Sequence, residues 1–526
     1  MNNTYRNIPF SKLALVLALC LGSSAQADWI KAYGTSNMDI GIVTPAATDG
    51  YFLSLSTSSL NKNTKSLSLL SKLDSNGDPE WTKQITTGNY DHFYLSQTSD
   101  HRILLQGDTR QTTSSALNSV LALFDIDSVS GQLTPVFSKV YKKGASHLSF
   151  MQDDQGVLWG LGSIVTSGQT GKGSDMILAN INAKNGIPNW SKVFHYSTVD
   201  SVRSILSKGQ NYILVANSHA TPNNQKILIG LLNKTGEPVS GSFNEYAGTG
   251  LNEVMAIKAI AGGNYVLYGT SKVSNTSSKA SIFVLKLDAN LKALWEKNYS
   301  AGTDQGFIAP SVDENADGTL TITSQLMTTD KIAVPGLPGM TIPMPSTHPA
   351  VIKLSADGAV ISAKTLAYQN DTAFFTKNTD SSYLISGQTM TMDFMSPSTA
   401  GNSNILYGQF TADLSPVWTK TFGGTKTDMG GIISQGNGYN LFGSTMSWGA
   451  GNIDVLAGQL DANGDVANCD FIKEVDMLEN ALTVKAENLN WTPKSATLTK
   501  KGVISSSNIT LNVSDGQLTT TKVCGN

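Results

Sequence analysis

The sequence predicts an all-β fold built as a ring of repeated four-stranded units, and three observations predict it. The 526 residues carry few charges (15%), with 48 glycines, a composition that suits short strands and tight turns better than helices. A Trp-x-Lys-x-aromatic segment recurs, its first positions at Trp29, Trp81, Phe137, Trp190, Ser242, Trp295, Ser362 and Trp418, so that five of the eight Trp fall on one phase. Other markers keep step with it. An apolar strand ending in an Asp/Gly turn stands upstream, as in Leu69 to Gly77. An alternating strand after a Gly turn lies between copies, as in Gly262 to Leu267. Each interval therefore reads as four short strands, the content of one propeller blade.

A four-stranded unit with apolar residues on both faces cannot bury itself alone, so such units stack, and a closed ring leaves no bare sheet edges. The expectation is an eight-bladed β-propeller, with seven blades as the alternative. Trp29, Trp81, Phe137, Trp190, Trp295 and Trp418 are expected to dock each blade on its neighbour, where one aromatic side chain buries about 150–250 Å². The Lys two residues on lays its stem over that apolar surface.

Taken from the N-terminus, residues 1–27 read as a secretory signal. Arg6 and Lys12 flank the apolar run Leu13 to Leu21, and Ala25-Gln26-Ala27 precedes Asp28. No stretch approaches the roughly 20 apolar residues of a membrane helix. Residues 28–465 form the propeller. The Trp29 segment has no strands before it and is expected to complete the last blade, in competition with Asn468 to Ile472. Residues 466–526 are expected as a small β appendage. With Cys20 removed, Cys469 and Cys524 remain, and in an oxidising compartment they pair. That link closes a loop of roughly 55 residues, worth about 4 kcal/mol on the chain-entropy model.

These motifs resemble those of bacterial secreted β-propellers with a Leu-Asp-x-Asn-Gly-x-x-x-Trp-x-Lys repeat, carried here by Leu73-Asp-Ser-Asn-Gly77 before Trp81 and by Leu460-Asp-Ala-Asn-Gly464. More distantly the chain is similar to quinoprotein-type eight-bladed propellers. The adjacent-cysteine disulfide of their quinone site is absent, so the resemblance implies architecture and not that cofactor.

Two groups of residues are candidates for a site. Nine or ten residues after each repeat position comes a polar residue, in turn Asp39, Asp91, His147, Asp200, Asn252, Asp304, Asp371 and Asp428, expected to converge at the channel mouth. Such a ring binds a cation, or each member caps its own turn; recurrence in every unit favours capping. Asp91, His92 and His147 would make a mixed N/O metal set. Asp313-Glu-Asn315-Ala-Asp317-Gly318 opens like a calcium loop, but its twelfth position is Ser324 and a hairpin turn fits better.

The second group is a Met-rich rim. The sixth unit is lengthened by Leu326 to Pro349 and the seventh by Gln388 to Asn404, bringing Met327, Met340, Met344, His348, Met390, Met392 and Met395 beside Met446 and Trp448. Packing of long loops, a Cu(I) site of thioethers with His348, and an adaptable surface for a protein, peptide or glycan partner are the alternatives.

With 37 basic against 40 acidic residues, a nucleic-acid partner is excluded. No serine-hydrolase elbow, zinc-protease or phosphate-loop motif is present. The leading expectation is an exported, periplasmic or extracellular protein that binds a partner without catalysis. Its alternative is an extracellular polysaccharide hydrolase or lyase with carboxylates at the channel mouth. A pocket holding a His–carboxylate pair, or two carboxylates, would mark the enzyme.

Overall fold

The computed structural model describes residues 28–525 apart from 47–48, 59–66, 99, 111–117, 128, 143–145, 153–156, 167–172, 222–223, 248–249, 274–278, 303, 334–339, 369, 379–381, 391–402 and 492. The expected signal segment therefore lies outside the described residues. Among those described, the fold is propeller-like and nearly all β, without an α-helix.

Each sequence repeat folds as an antiparallel four-stranded meander. In the first unit Met38–Pro45, Tyr51–Ser58, Leu67–Leu73 and Pro79–Thr86 pair in chain order. The last unit has only three strands in sequence, Asp428–Gln435, Gly438–Thr445 and Asp454–Leu460. Its fourth is Trp29–Gly34, paired Trp29 to Gln459 through Tyr33 to Val455. Asn468 to Ile472 does not take that place.

The apolar core is divided among the seams between consecutive units. Leu214, Ala216 and Leu228 of the fourth unit meet Trp159, Met176 and Leu178 of the third. Val43, Leu53 and Leu55 of the first meet Trp29, Tyr33 and Val455 of the last.

One local device recurs at the seams. Gly77, at φ 76°, turns the Asp74–Asp78 hairpin, and a Cβ there would stand 2.6 Å from the Trp29 ring, so a bare glycine admits the indole. Trp29 Nε1 donates to the Ser75 carbonyl (3.0 Å), Tyr33 OH to the Gly77 carbonyl (2.6 Å), and Lys31 pairs with Asp78 (2.6 Å). Trp190 repeats this with the Lys234 carbonyl (2.8 Å), and Lys192 with Glu237 (2.5 Å).

Two expectations are corrected. Leu326 to Pro349 is not simply a loop: Leu320–Ala333 and Thr341–Leu354 form one long hairpin, in register from Leu320 opposite Leu354 to Ala333 opposite Thr341. Pro343, Pro345 and Pro349 sit in Thr341–Leu354, and all three fall in its projecting half, beyond the last pairing to Val360–Ala367.

Residues 466–526 are not a separate appendage. Their short strands pair with the outer strands of the meanders, visiting them in reverse chain order. Ile472–Glu474 joins Pro416–Phe422, Leu478–Ala481 joins Val360–Ala367, and Lys485–Asn488 joins Ala293–Ser300. Lys494–Ser495, Thr499–Gly502, Ser505–Asn508 and Asn512–Asp515 continue round to Pro79–Thr86. Thr519–Gly525 ends on Trp29–Gly34. The reason is physical: every outer strand offers an unpaired edge, and a chain too sparse in apolar residues to form a core of its own saturates those edges. The Cys469–Cys524 disulfide is present.

Candidate functional site

The turn from one unit into the next ends in an acid near the start of the next unit's first strand. Asp91 accepts from Thr86 Oγ1 (2.7 Å), Thr87 N (2.8 Å), Thr87 Oγ1 (2.5 Å) and Thr109 Oγ1 (2.7 Å). Asp200 takes Tyr196 N (2.7 Å), Ser197 N (2.9 Å) and Ser218 Oγ (2.5 Å). Asp428 takes Gly424 N (2.8 Å), Thr445 Oγ1 (2.5 Å) and Ser447 Oγ (2.8 Å). Asp39 accepts Thr35 N (2.6 Å), and Asn252 accepts Ser271 Oγ (2.8 Å). The hydroxyls come from the facing position of the second strand: Thr109 opposite Asp91, Ser218 opposite Asp200, Thr445 opposite Asp428. These carboxylates are buried, and they tie a turn to a strand. Burial pushes the pKa of Asp39 and Asp200 up, while their hydrogen bonds pull the other way. His147 lies in Ser146–Gln152, but its side chain is outside the described residues.

At the seam of the first and last units a second acid joins Asp39. Asp454 leans on the bare Cα of Gly34, where a Cβ would lie 1.6 Å from its Oδ1 and 2.9 Å from Asp39 Oδ2. Burial, then the Asp39 charge, raises the Asp454 pKa.

The sixth unit departs from this pattern at both of its ends. Asp304 does not join the buried set: it is exposed and pairs with Lys279 (2.9 Å). Gln305 occupies the turn instead, its Oε1 accepting from Gly302 N at 3.1 Å. Ten residues, not nine, follow Trp295, and one position's shift in phase was enough to misplace the residue. At the other end, Asp371 shares a hydrogen bond of 2.6 Å with His348 Nδ1. Both are buried, and the Tyr368 backbone N–H also lies beside the Asp371 carboxyl. Burial raises the Asp371 pKa against the lowering pull of His348.

Between these two departures opens a cleft of about 430 Å³, whose walls include Gln305, Thr328, His348, Thr365 and Asn480. The long hairpin supplies Thr328 and His348, and the C-terminal segment supplies Asn480. A histidine on the wall of a cleft, oriented by a buried carboxyl behind it, is an acid–base pair in position to move a proton.

Of the expected Met-rich rim, Met327 is not placed beside His348. Leu326 pairs with His348, and Met327 with Thr347, so Met327 lies on the opposite face of the hairpin. Met340 is exposed, and Met446 stands with half-buried Trp448 at the last unit, where that indole packs on Phe422 and Phe471. Met392 and Met395 are outside the described residues, as are the side chains of Met344 and Met390.

No cofactor is evidenced. His92 bonds Tyr94 OH (2.6 Å) and Ser56 Oγ (3.2 Å). Asp313 pairs with Lys258 (2.7 Å), while Asp317 caps Thr319 N (3.0 Å), so the calcium-like segment is a hairpin turn. A cluster that sequence reading missed, Asp175, His195 and Asp200, brings its ligand atoms within 4.8 Å of one another. His195 Nδ1 already bonds Asp175 (2.7 Å), and Asp200 is filled by its own turn, so the cluster is accounted for without an ion.

No protein-family model matches the sequence, and no curated protein matches it. Among solved structures, it is similar to a protein of unknown function from Dyadobacter fermentans, at 12% identity over 71% of this chain and 98% of that one, TM-score 0.32. It is also similar to an α-L-arabinofuranosidase from Fusarium graminearum (11% identity, 72% and 95% covered, TM-score 0.31). A third is an α-L-arabinanase from Penicillium chrysogenum (8% identity, 72% and 96% covered, TM-score 0.31). At these values the likeness is one of strand architecture. Neither the secreted-repeat nor the quinoprotein resemblance finds support in it. The expectation of a non-catalytic binding or scaffold protein is corrected: the neighbours with a stated activity are glycosidases, the class of the alternative reading.

Proposed function

We propose that the chain is an exported hydrolase of polysaccharides, working at the cleft of the sixth unit, on a closed ring of eight blades. One observation carries the reading: the His348–Asp371 pair, at 2.6 Å, on the wall of a cleft of about 430 Å³. In this reading His348 takes the proton of the water that attacks the anomeric carbon as the glycosidic C–O bond breaks, the departing oxygen takes a proton from solvent water, and Asp371 orients the imidazole and holds the positive charge that forms. Gln305, Thr328, Thr365 and Asn480 suit sugar hydroxyls. The described lining carries no Lys or Arg to neutralise a uronate carboxylate, which favours a hydrolase over a lyase. Residues 1–27 serve as the export signal, and the disulfide suits an oxidising compartment. Eight blades are supported by the eight meanders and by the contact of Met38–Pro45 with Asp454–Leu460, which joins first unit to last.

The test is reducing-end release from a panel of neutral polysaccharides, arabinan among them. Wild type should cleave at least one, and His348→Ala should lose at least 100-fold in rate with an unchanged circular dichroism spectrum. No release from any, or full activity in the variant, contradicts the reading.

A further inference from the structure

We infer that residues 469–524 form a covalently closed hoop around the ring, latched by the disulfide, and that this latch keeps one wall of the cleft in place. The inference rests on the closed ring proposed above. Both cysteines lie at the seam of the seventh and eighth units, where Cys524 is buried and Cys469 packs beside Ile30 and Phe422. Between them the chain touches every unit once and returns to where it began, 55 residues later.

The register of the hoop follows the repeat of the ring. The residue after each repeat position accepts one belt amide. Thr419, Ala363, Glu296, Phe243, Ser138 and Thr82 offer carbonyls to the N–H of Val475, Leu482, Leu489, Ala496, Ile509 and Gly516, at 3.0–3.3 Å. In the third unit Ser191 Oγ takes the Ile504 N–H (3.1 Å), and in the eighth Ile30 faces Cys524. The belt positions recur every seven residues with one step of thirteen in which Ile504 intervenes, so one short span of belt matches one blade. Two residues beyond each of these six positions, Met477, Val484, Trp491, Leu498, Leu511 and Leu518 pack into the seams. Trp491 meets Phe283 with ring centroids 5.3 Å apart.

Strands of two to seven residues hold weakly alone, since each offers only a few ladder bonds. Tied at both ends, none can leave without the others. Reduced, the belt is no longer anchored at Cys524 and can peel from there. The segment Leu478 to Leu482, which lines the cleft, lies near the other end and is the last to go.

Hydrogen exchange of the folded protein, before and after reduction by a soluble dithiol, tests this. The reagent gives two electrons and two protons to the Cys469–Cys524 bond, leaving two thiols and a cyclic disulfide. Oxidised, belt amides should exchange no more than tenfold faster than those of the meanders. Reduced, they should exchange at least tenfold faster than before, Asn512–Asp515 more than Leu478–Ala481, with meander protection kept. The Cys469→Ser/Cys524→Ser variant should behave as the reduced protein; if it does not fold, the reduction arm decides alone. Unchanged belt exchange, or simultaneous loss of protection throughout, overturns the inference. The readout needs no hydrolase activity, and particle images that count the blades test the ring separately.

Discussion

Two junctions between consecutive units differ in what surrounds their acid. Between the first and second units Asp91 is met by four donors, three hydroxyls and a backbone N–H. Between the sixth and seventh, Asp371 bonds His348 and has the Tyr368 backbone N–H beside it, and His348 stands on the wall of a cleft. The first arrangement stabilises; the second sets a buried acid against an imidazole with fewer hydroxyl donors, and in the reading proposed above that is where the chemistry lies. A repeat is informative at the point where it fails.

The largest effect expected is on stability at the first junction. Asp91→Ala leaves buried donors without an acceptor and should cost roughly 3–5 kcal/mol by urea unfolding. Hydrolysis per folded molecule should be unaltered. Asp371→Asn is the converse: its stability should stay within about 1 kcal/mol of wild type, because the amide avoids burying a charge. Its hydrolytic rate should fall about 100-fold, equivalent to about 2.7 kcal/mol of barrier. Equal behaviour of the two variants would abolish the distinction between the junctions.

Acidity sharpens it. A pKa raised above the ordinary 3.8 means that the folded chain holds the Asp371 proton more tightly than the unfolded chain does. That contribution is full below the unfolded value and is lost as pH rises through the folded one. Wild type should therefore lose stability relative to Asp371→Asn as pH rises above about 4, followed by urea midpoints; a gap moving the other way contradicts the assignment. The smallest effect is expected of Asn480→Ala, a few-fold rise in KM with stability changed by less than about 0.5 kcal/mol.

Much of the repeated meander was legible. Trp, Lys and aromatic on one phase mark the strand that docks on the next unit's turn, and the lone Trp29 segment does pair with Asp454–Leu460. The belt was not read, because its strands are short and exposed and alternate poorly. Its signal was a spacing of seven, from Val475 to Leu482, Leu489 and Ala496, too sparse to register as a strand pattern. The junction acids were found as positions, apart from Gln305, displaced by one residue from Asp304. The His348–Asp371 pair was out of reach: both residues stood in separate groups, and only the turn of the long hairpin into the seventh unit brings them together.

An oligosaccharide that wild type cleaves, soaked into crystals of Asp371→Asn, tests the central claim most directly. The account predicts a glycosidic bond seated against His348, with Gln305 or Asn480 on its hydroxyls. A sugar bound elsewhere on the ring, with the sixth-unit cleft empty, would contradict it.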